Sequence, residues 1–212
     1  MSLPNLFTLI NRKSRRIIPR RFQAFSVGAA KTGTTTIANM LRPHYRAAHE
    51  PNVRGVFELA INYLKGHTGR DEVARSLIQR DRRLRLEMES AHPLVYLADV
   101  LVEVFPKARF VVTVREPYFW LRSRLSWSAS IDMPSWASYV TYFYERHHNG
   151  YAPQETILKE YGLFALDVYL RHYTDHYKRI FSHIPTSRRI VVHTRKIDER
   201  APEIARFIGA RP

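Results

Sequence analysis

The chain contains no cysteine. That excludes a disulfide framework, a thiolate metal site and a cysteine nucleophile, and it fits a reducing, cytoplasmic compartment. Acidic residues are scarce: 19 Asp and Glu stand against 34 Lys and Arg, a formal net charge of +15. A surplus of that sign points to anionic partners, whether nucleotide, acidic glycan, membrane surface or nucleic acid. No apolar run approaches the roughly 18 residues that a bilayer span requires. The stretch Leu3–Ile10 is too short and too polar at Asn5 for the core of a signal peptide, and basic residues follow it rather than precede it. Internal repeats and low-complexity tracts are also missing.

What remains is the composition of one globular domain. At 212 residues, 45% hydrophobic and 12% aromatic, the chain is large enough for a full core. The expected organisation is a basic N-terminal arm over residues 1–21, followed by a single domain over 22–212. The arm carries Arg12-Lys13-Ser14-Arg15-Arg16 and Arg20-Arg21. It reads as an untethered basic segment, with peripheral contact to the inner face of a membrane as the alternative. A second basic cluster is Arg80–Arg85, which as a bland alternative is solvated surface.

Short β-prone runs alternate with helical patterns. Strands are expected at Phe22–Val27, Tyr45–His49, Leu84–Met88, Arg109–Val114 and Arg189–His193. Helices are expected at Thr35–Leu41, Val56–Leu64, Arg70–Gln79, Pro93–Val104, Tyr118–Ser130, Ser135–His148, Leu163–Phe181 and Ala201–Ile208. The run Phe110-Val111-Val112-Thr113-Val114 suits a central parallel strand buried on both faces. The alternation predicts a three-layer α/β domain, P-loop-like, with a central parallel sheet of about five strands. The mostly helical stretch from 115 to 188 is expected to form a cap over the carboxyl edge of the sheet, where ligands bind in this architecture.

Two constellations fall at that edge. The first is the loop Gly28-Ala29-Ala30-Lys31-Thr32-Gly33-Thr34-Thr35-Thr36, between the first strand and a helix. A strand–loop–helix unit of small residues aims backbone N–H groups and a helix N-terminus at one spot, which makes an anion site. Lys31 and the hydroxyls of Thr32, Thr34, Thr35 and Thr36 add donors. The lysine precedes Gly33 instead of following it, so the order Gly-Lys-Ser/Thr of an ATPase loop is absent. A bare threonine-capped helix is the bland alternative. The second constellation follows the fourth strand: Arg115-Glu116-Pro117, with Ser123 two turns into the next helix. Pro117 suits the first helical turn. An arginine and a hydroxyl converging there can hold a second phosphate.

Taken together, Lys31-Thr32-Gly33-Thr34-Thr35-Thr36 resembles the 5′-phosphosulfate loop of the sulfotransferase family, and Arg115-x-Pro117 with Ser123 resembles its 3′-phosphate motif. The resemblance extends over about residues 22–209 and is nearer the bacterial and carbohydrate branches than the cytosolic phenol branch. It implies 3′-phosphoadenosine 5′-phosphosulfate (PAPS) as sulfuryl donor, adenosine 3′,5′-bisphosphate (PAP) as product and no metal. It also implies Lys31, Thr32, Gly33, Thr34, Thr35, Thr36, Arg115 and Ser123 as donor-binding residues. The acceptor is expected to be a hydroxyl compound, a glycan or glycolipid, or another anionic or sugar alcohol. The chain departs from the family at Trp120, where many members carry a second arginine; Arg122 or Arg124 is a substitute. The Arg-Lys-Gly element of the cytosolic branch is missing, with Arg195-Lys196 or a simple basic turn in its place.

Transfer to a hydroxyl requires a group to take its proton, worth about 10²–10⁴ in rate. The first choice is Glu50 in Ala47-Ala48-His49-Glu50-Pro51-Asn52, because the end of the second strand falls near the first loop. His49 is the rival. Strand alternation is expected to send these neighbours to opposite faces, leaving one in the site. Lys31 is the candidate to offset charge on the leaving phosphate. The acidic stretch Glu87-Met88-Glu89-Ser90-Ala91-His92-Pro93 either meets the acceptor or caps the next helix. Arg54 is either an acceptor contact or surface. The aromatic residues between 118 and 144 serve the core or line a ligand. The rival functions are an ATP-dependent P-loop kinase, a basic non-enzymatic nucleic-acid-binding protein and a sulfotransferase-like binder without turnover. Nucleic acid is not the expected partner, since no module that reads it appears.

Overall fold

The computed structural model describes residues 19–130 and 136–210. The expected arm through residue 18 therefore lies outside the described residues, as does the start of the helix expected at Ser135. Arg20 and Arg21 already belong to the body. Arg20 pairs with Asp81 at 2.7 Å, and the Arg21 N–H donates to Glu87 at 3.0 Å.

Five strands, β1 (Ala24–Ser26), β2 (Ala47–His49), β3 (Met88–Ser90), β4 (Arg109–Val114) and β5 (Arg189–His193), form one parallel sheet in the order β2-β3-β1-β4-β5. The chain runs from β1 out to β2, back to β3 beside β1, and then across to β4 on the other side. The strand order reverses between β1 and β4, and ligand crevices open outside the carboxyl ends of strands at such a point.

The alternation along β4 assigns the layers. Phe110 and Val112 enter one core and Val111 the other, and all three are fully buried. On the Val111 side lie α1 (Thr34–Leu41) and α9 (Ala201–Ile208). Helix α1 buries Thr34, Ile37, Ala38 and Leu41, an i, i+3, i+4, i+7 stripe. Gly209 ends α9 in the left-handed conformation at φ 84°. On the Phe110 side lie α2 (Val53–Leu64), α3 (Arg70–Leu84), α4 (Ala98–Val104) and α8 (Leu166–His183). Three further helices, α5 (Pro117–Ser128), α6 (Ala137–Phe143) and the short α7 (Thr156–Glu160), come from the region expected as a cap. Only α5 and α6 supply residues to the cleft at the sheet edge. Helix α8 returns to the sheet face, where Val168, Tyr169, Tyr177 and Ile180 join the core around Phe25 and Phe110.

The third strand begins four residues later than the sequence pattern indicates. Leu84 continues the helical spacing of Val73 and Leu77, and Arg85, left-handed at φ 47°, ends α3. Asp71 and Glu72 in the first turn and Arg82 and Arg83 in the last match the helix dipole and favour the longer helix. The real strand contains Glu89, buried in the sheet. Arg80 of α3 compensates it with a 2.6 Å ion pair. Burial still pushes the Glu89 carboxyl up. No described helix is long and apolar enough to cross a membrane.

Candidate active site

A cavity of about 420 Å³ opens at the carboxyl edge of β1, β2 and β4. One wall is the loop after β1. Its shape comes from what its carbonyls do. Val27 O accepts from His176 Nε2 (2.8 Å), Ala29 O from Thr32 Oγ1 (2.6 Å) and Ala30 O from Trp120 Nε1 (2.8 Å). Lys31 O accepts from Arg115 Nη1 (3.1 Å), Thr32 O from Thr194 Oγ1 (2.6 Å) and Thr34 O from Ser90 Oγ (2.7 Å). These six bonds occupy carbonyls of the loop and leave its remaining N–H groups without carbonyl partners inside the loop, apart from Thr32 N–H, which donates to Ala29 O. Lys31 and Gly33 lie in the left-handed region at φ 70° and 101°, with Thr32 between them outside it, a bend of the kind that anion-binding nests use. Gly33 is the N-cap of α1, and no side chain caps that end, so the first-turn amides of residues 34–36 stay open. The threonine run is therefore not a helix cap.

Two glycines are sterically required here. A Cβ on Gly28 would collide with the side chain and backbone of Thr113 in β4. At Gly33 a Cβ would fall 2.5 Å from Ile197 Cδ1, on top of the unfavourable φ.

The structure brings Lys31, Gly33, Thr34, Thr35 and Thr36 to the cavity, with Arg115, Ser123 and Thr194 beside them. Lys31 has no acidic partner, and the Ser123 hydroxyl makes no protein hydrogen bond, among the described residues. Thr32 is not brought to the cavity. It is fully buried, its N–H and hydroxyl both turn back to Ala29 O, and its Oγ1 also meets Thr113 Oγ1 at 2.8 Å. Its contribution is to brace the loop. Glu116 caps α5 by accepting from the N–H groups of Tyr118 and Phe119, and Pro117 takes the first turn. Trp120, at the position of the family's second arginine, is 1% exposed and holds the loop at Ala30.

The opposite wall is built of side chains. His49 and Glu50 both line the cavity, against the expectation from strand alternation. The strand ends at His49, and Glu50 takes a left-handed conformation at φ 48°, which turns its side chain to the same side. His49 Nε2 is 3.2 Å from the hydroxyls of both Thr34 and Thr35 and 3.8 Å from Glu50 Oε1. Burial lowers the His49 pKa, so its ring is neutral at neutral pH.

Glu50 Oε1 lies 2.5 Å from His92 Nδ1, a contact the sequence pattern did not single out. The sequence offers His92 either as part of a stretch that meets the acceptor or as a helix cap; a histidine three residues after a buried strand glutamate gives no signal of a partnership with Glu50. Burial would raise the Glu50 pKa, but the charge and hydrogen bond of His92, with smaller help from His49 and Arg124, hold it below the ordinary carboxylate range. Glu50 Oε2 has no protein partner among the described residues. The neighbouring acids do different work. Glu87 accepts from the N–H groups of Arg21 and Arg46, and Glu89 pairs with Arg80.

The rest of this wall is aromatic. Phe57, Trp127, Trp136 and Tyr139 line it together with Arg124. Arg54 lies outside the cavity, over the Trp136 ring at 5.9 Å. The aromatic residues between 118 and 144 divide accordingly: Trp120, Phe143 and Tyr144 belong to the core, while Tyr118 is 65% exposed. Among the described residues, no group of three His, Asp or Glu side chains is placed to hold a metal ion.

A sequence model of the sulfotransferase domain family matches residues 23–198. Among solved structures, a sulfotransferase from Alicyclobacillus acidocaldarius is similar over 91% of this chain and 82% of its own, with 16% identity and a TM-score of 0.50, a likeness of fold. No curated protein matches the chain.

Proposed function

This chain belongs to the sulfotransferase family and is a sulfotransferase, and from that premise we propose that it takes its sulfuryl group from PAPS and passes it to a hydroxyl of a glycan or glycolipid. The observation that carries the donor assignment is the loop with its carbonyls occupied by hydrogen bonds, its α1 end uncapped and Lys31 unpaired among the described residues. That cradle fits a terminal phosphosulfate. Arg115 and Ser123 on the adjoining wall fit a second phosphate. Bound there, the donor supplies a sulfuryl group carried on a phosphate leaving group, and adenosine 3′,5′-bisphosphate remains.

The residues of the chain do the rest. Lys31 and the amides of residues 33–36 offset the negative charge that grows on the leaving oxygen, without reorganising as they do so. Glu50 Oε2 takes the proton of the acceptor hydroxyl. His92 holds Oε1 and so fixes the direction in which Oε2 points. His49 bridges the base and the loop through Thr34 and Thr35. Because His92 keeps Glu50 ionised, the base is unprotonated at neutral pH, at a cost in intrinsic basicity. Aromatic faces at Phe57, Trp127 and Trp136 suit the C–H face of a sugar ring.

Calorimetry tests the donor assignment. Adenosine 3′,5′-bisphosphate is expected to bind without metal and to bind Lys31→Ala at least about tenfold more weakly. A preference for ATP with Mg²⁺ would replace this reading with a kinase.

A further inference from the structure

The acceptor wall holds a cation that the chemistry above does not use. Arg124 is 4% exposed, and its guanidinium lies 4.5 Å from the centroid of Trp127. Its Nη2 donates to the hydroxyls of Tyr144 (2.9 Å) and Tyr139 (3.3 Å). Both phenols are neutral: burial pushes Tyr139 up to about 12 and Tyr144 well above its usual value. No carboxylate forms an ion pair with Arg124 among the described residues. Nε is buried without a partner, and Nη1 also has none.

Burying a charge without a counter-ion is costly, and Arg80, whose side chain is mostly covered, has its carboxylate in Glu89. Arg124 keeps the N–H groups of Nη1 unspent in a cavity that also holds the base. A guanidinium N–H gives a carboxylate a charge-assisted hydrogen bond. Its surroundings belong to the acceptor half: it is bonded to Tyr139 of α6, and its charge reaches Glu50. The arginine turned to the loop is Arg115.

We propose that Arg124 is the anion-recognition residue for the acceptor, and that the preferred substrate is an alcohol bearing a carboxylate, such as a uronic acid sugar, rather than its neutral counterpart. This rests on the sulfotransferase reading of the cavity given above.

The test compares phenyl β-D-glucuronide with its neutral amide, phenyl β-D-glucuronamide, which keeps every hydroxyl and lacks only the charge, by kcat/KM with PAPS and by tryptophan fluorescence titration of the bisphosphate-loaded protein. The wild type is expected to favour the glucuronide at least about tenfold, the usual worth of a charge-assisted pair. Arg124→Gln is expected to remove that preference, and Arg124→Lys to keep part of it. Both are expected to bind adenosine 3′,5′-bisphosphate as the wild type does. Equal use of the two sugars by the wild type overturns the proposal, and this arm needs no variant to fold. Weakened bisphosphate binding in Arg124→Gln, with its melting temperature retained, also overturns it by moving the arginine to the donor. A wild type that does not bind the bisphosphate brings down the underlying reading as well, so the two failures are told apart.

Discussion

The two walls of the cavity are made of different material. The wall proposed for the donor is built around main chain, shaped by hydrogen bonds from Arg115, Trp120, His176 and Thr194, which come from three separate stretches of sequence. His176 serves there as a neutral ring: burial drops its pKa to about 3, and Val27 O fixes the proton on Nε2. The acceptor wall is side chain throughout, with Glu50, His49, His92 and Arg124 set among aromatic rings. A wall of backbone amides recognises a constant chemical group and tolerates little change. A wall of side chains can be respecified one residue at a time. The contrast teaches where catalytic power and where selectivity reside.

The contrast can be broken in four ways. The largest effect is expected at Lys31→Ala, with turnover falling about 10²–10³-fold as the leaving oxygen loses its nearest cation, measured as kcat with saturating acceptor. Next, Glu50→Gln is expected to cut turnover at least about a hundredfold while bisphosphate affinity stays at the wild-type value. If affinity fell with it, the division into walls would be wrong. Third, Gly28→Ala forces β1 and β4 apart at Thr113 and is expected to cost about 1–3 kcal/mol of folding stability, read as a lower denaturation midpoint.

The smallest effect is expected at His92→Leu. Burial then acts on Glu50 unopposed by its main partner, so its pKa rises and the acid limb of the kcat/KM profile moves to higher pH. The sign for stability follows the same shift. The depressed Glu50 pKa stabilises the fold above the ordinary carboxylate range, and that contribution disappears as pH falls through the folded value. His92→Leu is expected to flatten this part of the stability profile. An unmoved acid limb would remove His92 from its positioning role.

Much of this arrangement was legible in the sequence. The run Phe110–Val114 announced a two-faced strand, and the spacing of Lys31, Gly33, Arg115 and Ser123 singled out residues that the structure gathers at one cavity, because main-chain anion sites leave strict local patterns. The opposite wall was legible at Glu50 and His49 and left open between two roles elsewhere. His92 and Arg124 reach it through tertiary packing, and nothing in their immediate neighbours marks them. Thr32 was misplaced for a related reason: a hydroxyl in an anion loop reads alike whether it faces ligand or core, and its contact with Thr113 spans 81 residues. The third strand was shifted because Glu89 disqualifies its own segment until Arg80 is seen beside it.

Thr194 ties Thr32 O to Val114 O, and His176 ties Val27 O from helix α8. The loop near the start of the chain thus acquires its curvature from groups that a ribosome delivers about 150 to 160 residues later. An emerging polypeptide has the glycine turn long before it has the grip. Under the function proposed above, affinity for the bisphosphate comes late in the life of each molecule, once the whole domain has closed.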